Sequence, residues 1–215
     1  MRQEAANALL KVLEEPPKNS VIILTTSKVN SLPQTIIGRC QKIFFEPLID
    51  TDIKDKLNET MGNYTIKEID IASGLAGGSY TRAVELLEMG VDDIRDTAIA
   101  FLVALLKDDY AETVLISRNV TAKNDKNKTR YFLFFLNVWF RDLLKTKYAS
   151  GSEKNHISNA DLADRLAKFN NNYPNTDIYD IIMELEEAEK LIGQNVQLQL
   201  ILITLSFKLK NLLKK

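Results

Sequence analysis

Apolar residues recur at helical spacing over residues 2–15, with Ala5, Ala6, Leu9, Leu10 and Leu13 on one side. Pro16-Pro17 ends that predicted helix, because proline lacks an amide donor and pushes the preceding residue out of the helical region. Residues 21–24 (VIIL) then form a continuous apolar run, the pattern of a strand covered on both faces. Ser31 and Leu32 precede Pro33 at a predicted first helical position, and Gly38 stands where that short helix would stop. Residues 42–45 (KIFF) read as a second strand closed by Pro47. This alternation predicts a partial α/β unit over residues 1–46. Two strands cannot hold a sheet, so the unit reads as the tail end of a larger α/β domain, and by itself it would expose the apolar faces of residues 21–24.

Beyond Pro47 the pattern is helical throughout. Residues 50–60, 65–73 and 79–89 predict three short helices separated by Gly62 and Gly77-Gly78. Further helices are predicted near 92–107, 110–117, 130–148, 158–170, 176–192 and 195–213. Ile178, Ile181, Ile182, Leu185, Ala188, Leu191 and Ile192 keep the spacing of a core-facing stripe. Residues 118–130 (RNVTAKNDKNKTR) are polar and without periodicity, and 148–156 similar, so both are expected to be loops. The fold class is mainly α, with an α/β piece at the start, and the expected divisions are 1–46, 47–90 and 91–215.

Composition narrows the chemistry. In 215 residues, 28 Lys+Arg against 29 Asp+Glu give a net charge of −1, which supplies no general attraction to nucleic acid or membrane. Cys40 is the single cysteine, so neither a disulfide framework nor a thiolate metal site exists, in keeping with a reducing, cytoplasmic setting. The most apolar stretch, 196–213, is interrupted by Gln197, Gln199, Lys208 and Lys210 and reads as a buried helix.

Several residues carry candidate chemistry. Thr25, Thr26 and Ser27 follow the first predicted strand at its carboxyl end, where open α/β sheets place ligands; they can orient a phosphate or water, or simply begin a loop. Arg39, between Gly38 and the second strand, has the permanently charged, forked donor set that suits phosphate oxygens, and the plain alternative is a surface salt bridge. Cys40 reads as a small buried hydrophobe. Arg82 occupies the third position of a helix capped by Ser79, where a cation opposes the positive helix end, so it faces an anion or partner or is merely solvated. Glu14-Glu15 read as a solvated helix terminus, and His156 lies in a loop without clustered ligands. Tyr131, Phe132, Phe134, Phe135, Trp139 and Phe140 crowd one helix as a core or subunit interface. No G-x-x-x-x-G-K-[ST] occurs, so no phosphate-cradling loop is present in this sequence.

The ordered stretch AANALLKVLEEPP, VIILTTS and LP-x-TI-x-GRC resembles the clamp-loader branch of AAA+ proteins, the subunits that load the sliding clamp for the replicative DNA polymerase. GGSYTRAVELLE is similar to the second-sensor helix of the family's lid domain. WFRDLL and NVQLQL are most similar to its bacterial delta-prime branch. The resemblance implies an AAA+ remnant over 1–46, a helical lid over 47–90 and a helical collar over 91–215. It implies that Thr25 and Thr26 correspond to the first sensor, Arg82 to the second, and that Arg39-Cys40 end a Ser-Arg-Cys motif whose arginine acts in trans on a neighbouring subunit's ATP and Mg. Gly38 replaces the motif's serine. The family's P-loop and acidic metal-binding stretch would precede Met1, so an amino-terminally truncated chain or a late start is expected. The implied function is a non-catalytic loader subunit that binds no cofactor and no metal itself. Its partners would be the gamma/tau and delta subunits in a ring, with sliding clamp and primed DNA reached through the complex, and no membrane. The alternatives are an ATP-hydrolysing gamma/tau-type subunit lacking its amino-terminal part, and a purely structural helical interaction module.

Overall fold

The computed structural model describes residues 3–26, 29–148, 157–194 and 196–213. Ser27 and, of the loop expected over 148–156, residues 149–156 with His156 lie outside the described residues, while Tyr148 ends the last helical turn before them. Contacts divide the chain into two units, residues 1–46 and residues 47–215.

In the first unit, α1 (Gln3–Glu14) ends ahead of the two prolines, as its sequence requires. A 3₁₀ turn (Val29–Ser31) leads to Pro33, which occupies the N-cap position of α2 (Gln34–Ile37), and α1 packs on α2. Ile36 and Ile37 are buried. The two expected strands do not form: among the described residues no strand is present, and residues 21–24 and 42–45 run as unpaired backbone. A strand is held by donors and acceptors from a neighbouring strand, and neither segment has one here. Their apolar side chains are exposed, Val21 by 87% and Phe45 by 92%.

The second unit is helical. Three short helices, α3 (Asp50–Thr60), α4 (Ile66–Leu75) and α5 (Tyr80–Glu88), pack on one another. α4 opens with a capping box: Thr65 Oγ1 accepts from the Glu68 amide, and Glu68 returns a carboxylate to the Thr65 amide. Gly78 has φ +79°, and a Cβ there would come within 2.3 Å of Pro47 Cβ. Its carbonyl accepts from the Leu48 amide at 3.0 Å, so glycine lets the turn before α5 close against the segment entering α3.

α6 (Val91–Leu106), α7 (Tyr110–Val120), α8 (Lys126–Tyr148), α9 (Ala163–Asn172), α10 (Ile178–Ile192) and α11 (Leu198–Leu213) complete the unit. α8 and α10 lie side by side, with α6 and α9 against α8 and α11 against α10. One continuous core runs from Ile53 to Leu213, with Phe101, Phe132, Phe140 and Leu143 among its fully enclosed side chains. The stripe expected along 178–192 faces this core, apart from Leu191, which packs at its edge.

The loop expected over 118–130 is much shorter than its composition suggests. α7 continues to Val120, α8 begins at Lys126, and only a tight turn separates them. Asp125 starts α8 by accepting from the Lys128 amide at 2.9 Å, while Thr113, Ser117 and Thr121 return their hydroxyls to carbonyls four residues earlier along α7. The helix expected from 158 begins only at 163. Residues 158 and 159 are instead bound to buried Asp142, which accepts from the Ser158 amide (3.1 Å), the Asn159 amide (2.9 Å) and Asn159 Nδ2 (2.8 Å).

Candidate functional site

Arg39 is presented by the end of α2. Gly38 closes that helix by donating to the Gln34 carbonyl at 2.8 Å, and the Arg39 amide donates to the Ile36 carbonyl at 3.1 Å. Gly38 has φ −69°, in the right-handed region, and a Cβ there would sit 3.3 Å from the Gln34 carbonyl oxygen. The serine implied by the Ser-Arg-Cys motif therefore fits with a shift of a few tenths of an ångström.

The Arg39 guanidinium is held from both sides. Nη1 donates to the Thr35 carbonyl at 3.0 Å and Nη2 to Glu14 Oε1 at 2.5 Å. The two side chains are 40% and 50% exposed. A pair this open to water contributes about 0–1 kcal/mol and weakens as salt rises. The guanidinium is thus placed but exchangeable, able to trade its carboxylate for a phosphate oxygen. Cys40 beside it is half-buried, more open than a core hydrophobe. Thr25 and Thr26 are exposed, shortly before the 3₁₀ turn. Glu14 had only the look of a solvated helix terminus in the sequence. Its partner lies 25 residues away, and no local pattern announces the pairing.

Arg82 sits in the second unit, third in α5 as its sequence predicts, with its amide donating to the Ser79 hydroxyl at 3.3 Å. Its guanidinium lies over the Phe134 ring, 5.6 Å from the centroid, in a groove of about 490 Å³ that Glu85, Arg130, Tyr131 and Glu189 also line. The ring face and the nearby carboxylates offset the misplacement of a cation at a positive helix end. Tyr131 donates its hydroxyl to the Glu85 carboxylate. Partial burial, then the hydrogen bond and charge of Glu85, push the phenol up to about 12. Of the aromatics on α8, Phe132, Phe135, Trp139 and Phe140 enter the core, while Tyr131 and Phe134 border this groove.

A second ion pair escaped sequence reading. Arg95, 7% exposed, makes a bidentate contact with Asp161 at 3.1 and 2.7 Å, tying the 3₁₀ turn Ala160–Leu162 to α6. With the Asp142 cluster it ties residues 158–161 to α6 and α8. Among the described residues no group of three or more His, Cys, Asp or Glu side chains could hold a metal ion, and no helix is long and apolar enough to cross a membrane.

Residues 1–49, which include α1, α2, Arg39 and Cys40, match the family described as DNA polymerase III, delta subunit. The DNA polymerase III subunit tau of Bacillus subtilis (strain 168) is 28% identical over 169 residues, covering 69% of this chain and 30% of that protein. The delta' subunit of the same organism is 48% identical over 59 residues, covering 27% of this chain and 18% of its own length. The gamma subunit of Buchnera aphidicola subsp. Schizaphis graminum is 37% identical over 92 residues, 41% of this chain and 25% of that protein. Over these stretches the chain is similar to clamp-loader subunits of DNA polymerase III. It spans between 18% and 30% of the length of these three relatives. Of the three, delta' has the higher identity and tau the longer alignment, so the comparisons do not choose between those branches.

Proposed function

We propose that the chain serves as a non-catalytic clamp-loader subunit whose Arg39 reaches the ATP and Mg bound by an adjacent ATPase subunit. The supporting observation is the state of that side chain: fixed at the end of α2, about 40% exposed, and held by a carboxylate pair weak enough to exchange. An arginine entering a neighbour's site must be presented outward and must arrive without a strong competing partner. On this reading Thr25, Thr26 and Arg82 are nucleotide-sensor-like positions and Cys40 completes the motif. Residues 47–90 act as the lid and 91–215 as the collar, making ring contacts with gamma/tau and delta subunits, while sliding clamp and primed DNA are met through the complex. Replacing Arg39 by Ala in the reconstituted loader should leave assembly intact and lower ATP hydrolysis, by up to about 10³-fold. Unchanged hydrolysis in an assembled complex overturns the proposal.

The long alignment with a tau subunit favours one alternative, a gamma/tau-type subunit that hydrolyses ATP itself. ATP binding by the purified product of the whole gene, without partners, would select that reading; its absence, with retained co-purification of loader subunits, selects the first.

A further inference from the structure

The corner between α7 and α8 gathers positive charge in a chain that is balanced only as a whole. Residues 118–130 carry Arg118, Lys123, Lys126, Lys128 and Arg130 against the single carboxylate of Asp125. The helices fix these cations in one place: Arg118 in the last turn of α7, Lys123 in the connecting turn at φ 56°, the other three in the first turns of α8. Four are exposed and Lys128 is half-buried. None makes an ion pair among the described residues, whereas Lys54, Lys56, Lys67, Lys190 and Lys208 elsewhere in the unit each hold a carboxylate. Asp125 is itself committed to the Lys128 amide.

Gathering like charges without counter-charges costs energy in the free protein, and the positive end of α8 adds to it. A polyanion relieves the cost. Thr121, Asn124 and Lys126 also line a groove of about 520 Å³ with Gln197, Gln199 and the apolar Val196 and Leu198, and no carboxylate is in its wall. Hydroxyls, side-chain amides and lysine are the usual donors to phosphate oxygens.

The chemistry of the corner also chooses between polyanions. The apolar side chains at the corner and its groove are Val120 and Leu198, which are buried, Ala122, and the half-buried Val196. A protein partner of useful affinity needs aromatic or large apolar anchors, and reading bases by stacking needs exposed rings. Among these residues there is no aromatic ring and no exposed large apolar side chain, which leaves charge and amide contacts to a regularly spaced backbone. We infer that this corner is a sequence-independent contact for the phosphate backbone of nucleic acid, with Lys123, Lys126 and Lys128 at its centre. Arg118 flanks it on one side. Arg130 marks the other limit, since it also lines the groove that holds Glu85, Glu88 and Glu189. The contact is independent of any role for Arg39.

The test is fluorescence anisotropy of a labelled single strand and a labelled duplex of unrelated sequences, titrated with the full chain across a salt series. Binding should be indifferent to sequence, and the logarithm of affinity should fall with the logarithm of salt by about 0.9 per phosphate contact on duplex and about 0.7 on single strand. Combining Lys123→Asn, Lys126→Ala and Lys128→Ala should flatten the duplex slope by about 2–3 and weaken low-salt binding at least about tenfold. Asparagine is chosen at 123 because it tolerates a positive φ. The matching triple change to arginine should retain binding, and Lys54→Ala, Lys56→Ala and Lys67→Ala together should leave it unchanged; circular dichroism checks that each variant keeps its helices. Wild-type binding by the corner variant, loss in the arginine variant, or no salt-dependent binding at all overturns the inference. Equal displacement by polyglutamate of matched charge also overturns it, in favour of an acidic polypeptide.

Discussion

Residues 1–46 and 47–215 are built on opposite terms. In the second unit the helices bury a continuous core, and buried Asp142 is paired inside it with Asn159. In the first, α1 leans on the single turn of α2, Ile36 and Ile37 are buried, and Val21, Ile23, Phe44 and Phe45 stand in water. The side chain with the clearest candidate chemistry, Arg39, belongs to the sparsely packed unit, and the stable scaffold lies in the other. Exposed apolar segments beside a presented arginine contrast with a helical unit that encloses a core of its own.

The sharpest way to break this comparison is to open the second unit's core. Phe132→Ala, at a fully enclosed position that meets Phe101 edge-on at 5.3 Å, should cost about 3–5 kcal/mol in denaturant unfolding followed by helical circular dichroism. Phe45→Ser in the first unit should leave that transition where it is, because the ring is already in water; a shift of similar size would mean the two units are not built so differently. Next in size, Asp142→Ala strands the buried Asn159 donors and should cost about 2–3 kcal/mol in the same measurement, and Asp142→Asn, which can still accept, should cost less.

A smaller effect concerns the groove of Arg82. The folded protein holds the Tyr131 phenol at about 12, above its ordinary value of 10.0, so the fold favours the protonated form. The associated stability is whole below pH 10.0 and is lost as pH rises through about 12. Ultraviolet titration should show one tyrosine ionising late, and Tyr131→Phe should remove that late step and flatten the alkaline fall in stability. The smallest change is expected at Glu14→Gln, which should move stability by no more than about 1 kcal/mol and lose even that in high salt. A larger loss would show the first unit to be held more firmly than its exposure implies.

Much of the second unit was legible along the chain. The helices over 50–60, 66–75 and 80–88 fall within two residues of their expected limits, and Ser79 caps the last of them as its type suggests. Residues 118–130 misled because composition outweighed local chemistry. An aspartate that caps α8 by accepting from the Lys128 amide starts a helix inside a stretch that reads as loop. Arg39 and Arg82 could be singled out by residue type and position, but their surroundings could not: Glu14 and Phe134 approach them from distant parts of the sequence.

The sequence by itself determined where helices start, stop and turn their apolar faces, because a helix closes its hydrogen bonds within four residues and its caps are local. It also determined the family signature over residues 1–49 and the bare charge of the α7–α8 corner. Only the tertiary structure decided that residues 21–24 and 42–45 stay unpaired, that Arg39 rests on Glu14, and that Asp142 gathers the chain at 158 and 159. Strand pairing and ion pairing draw their partners from far along the chain, and no local pattern contains them.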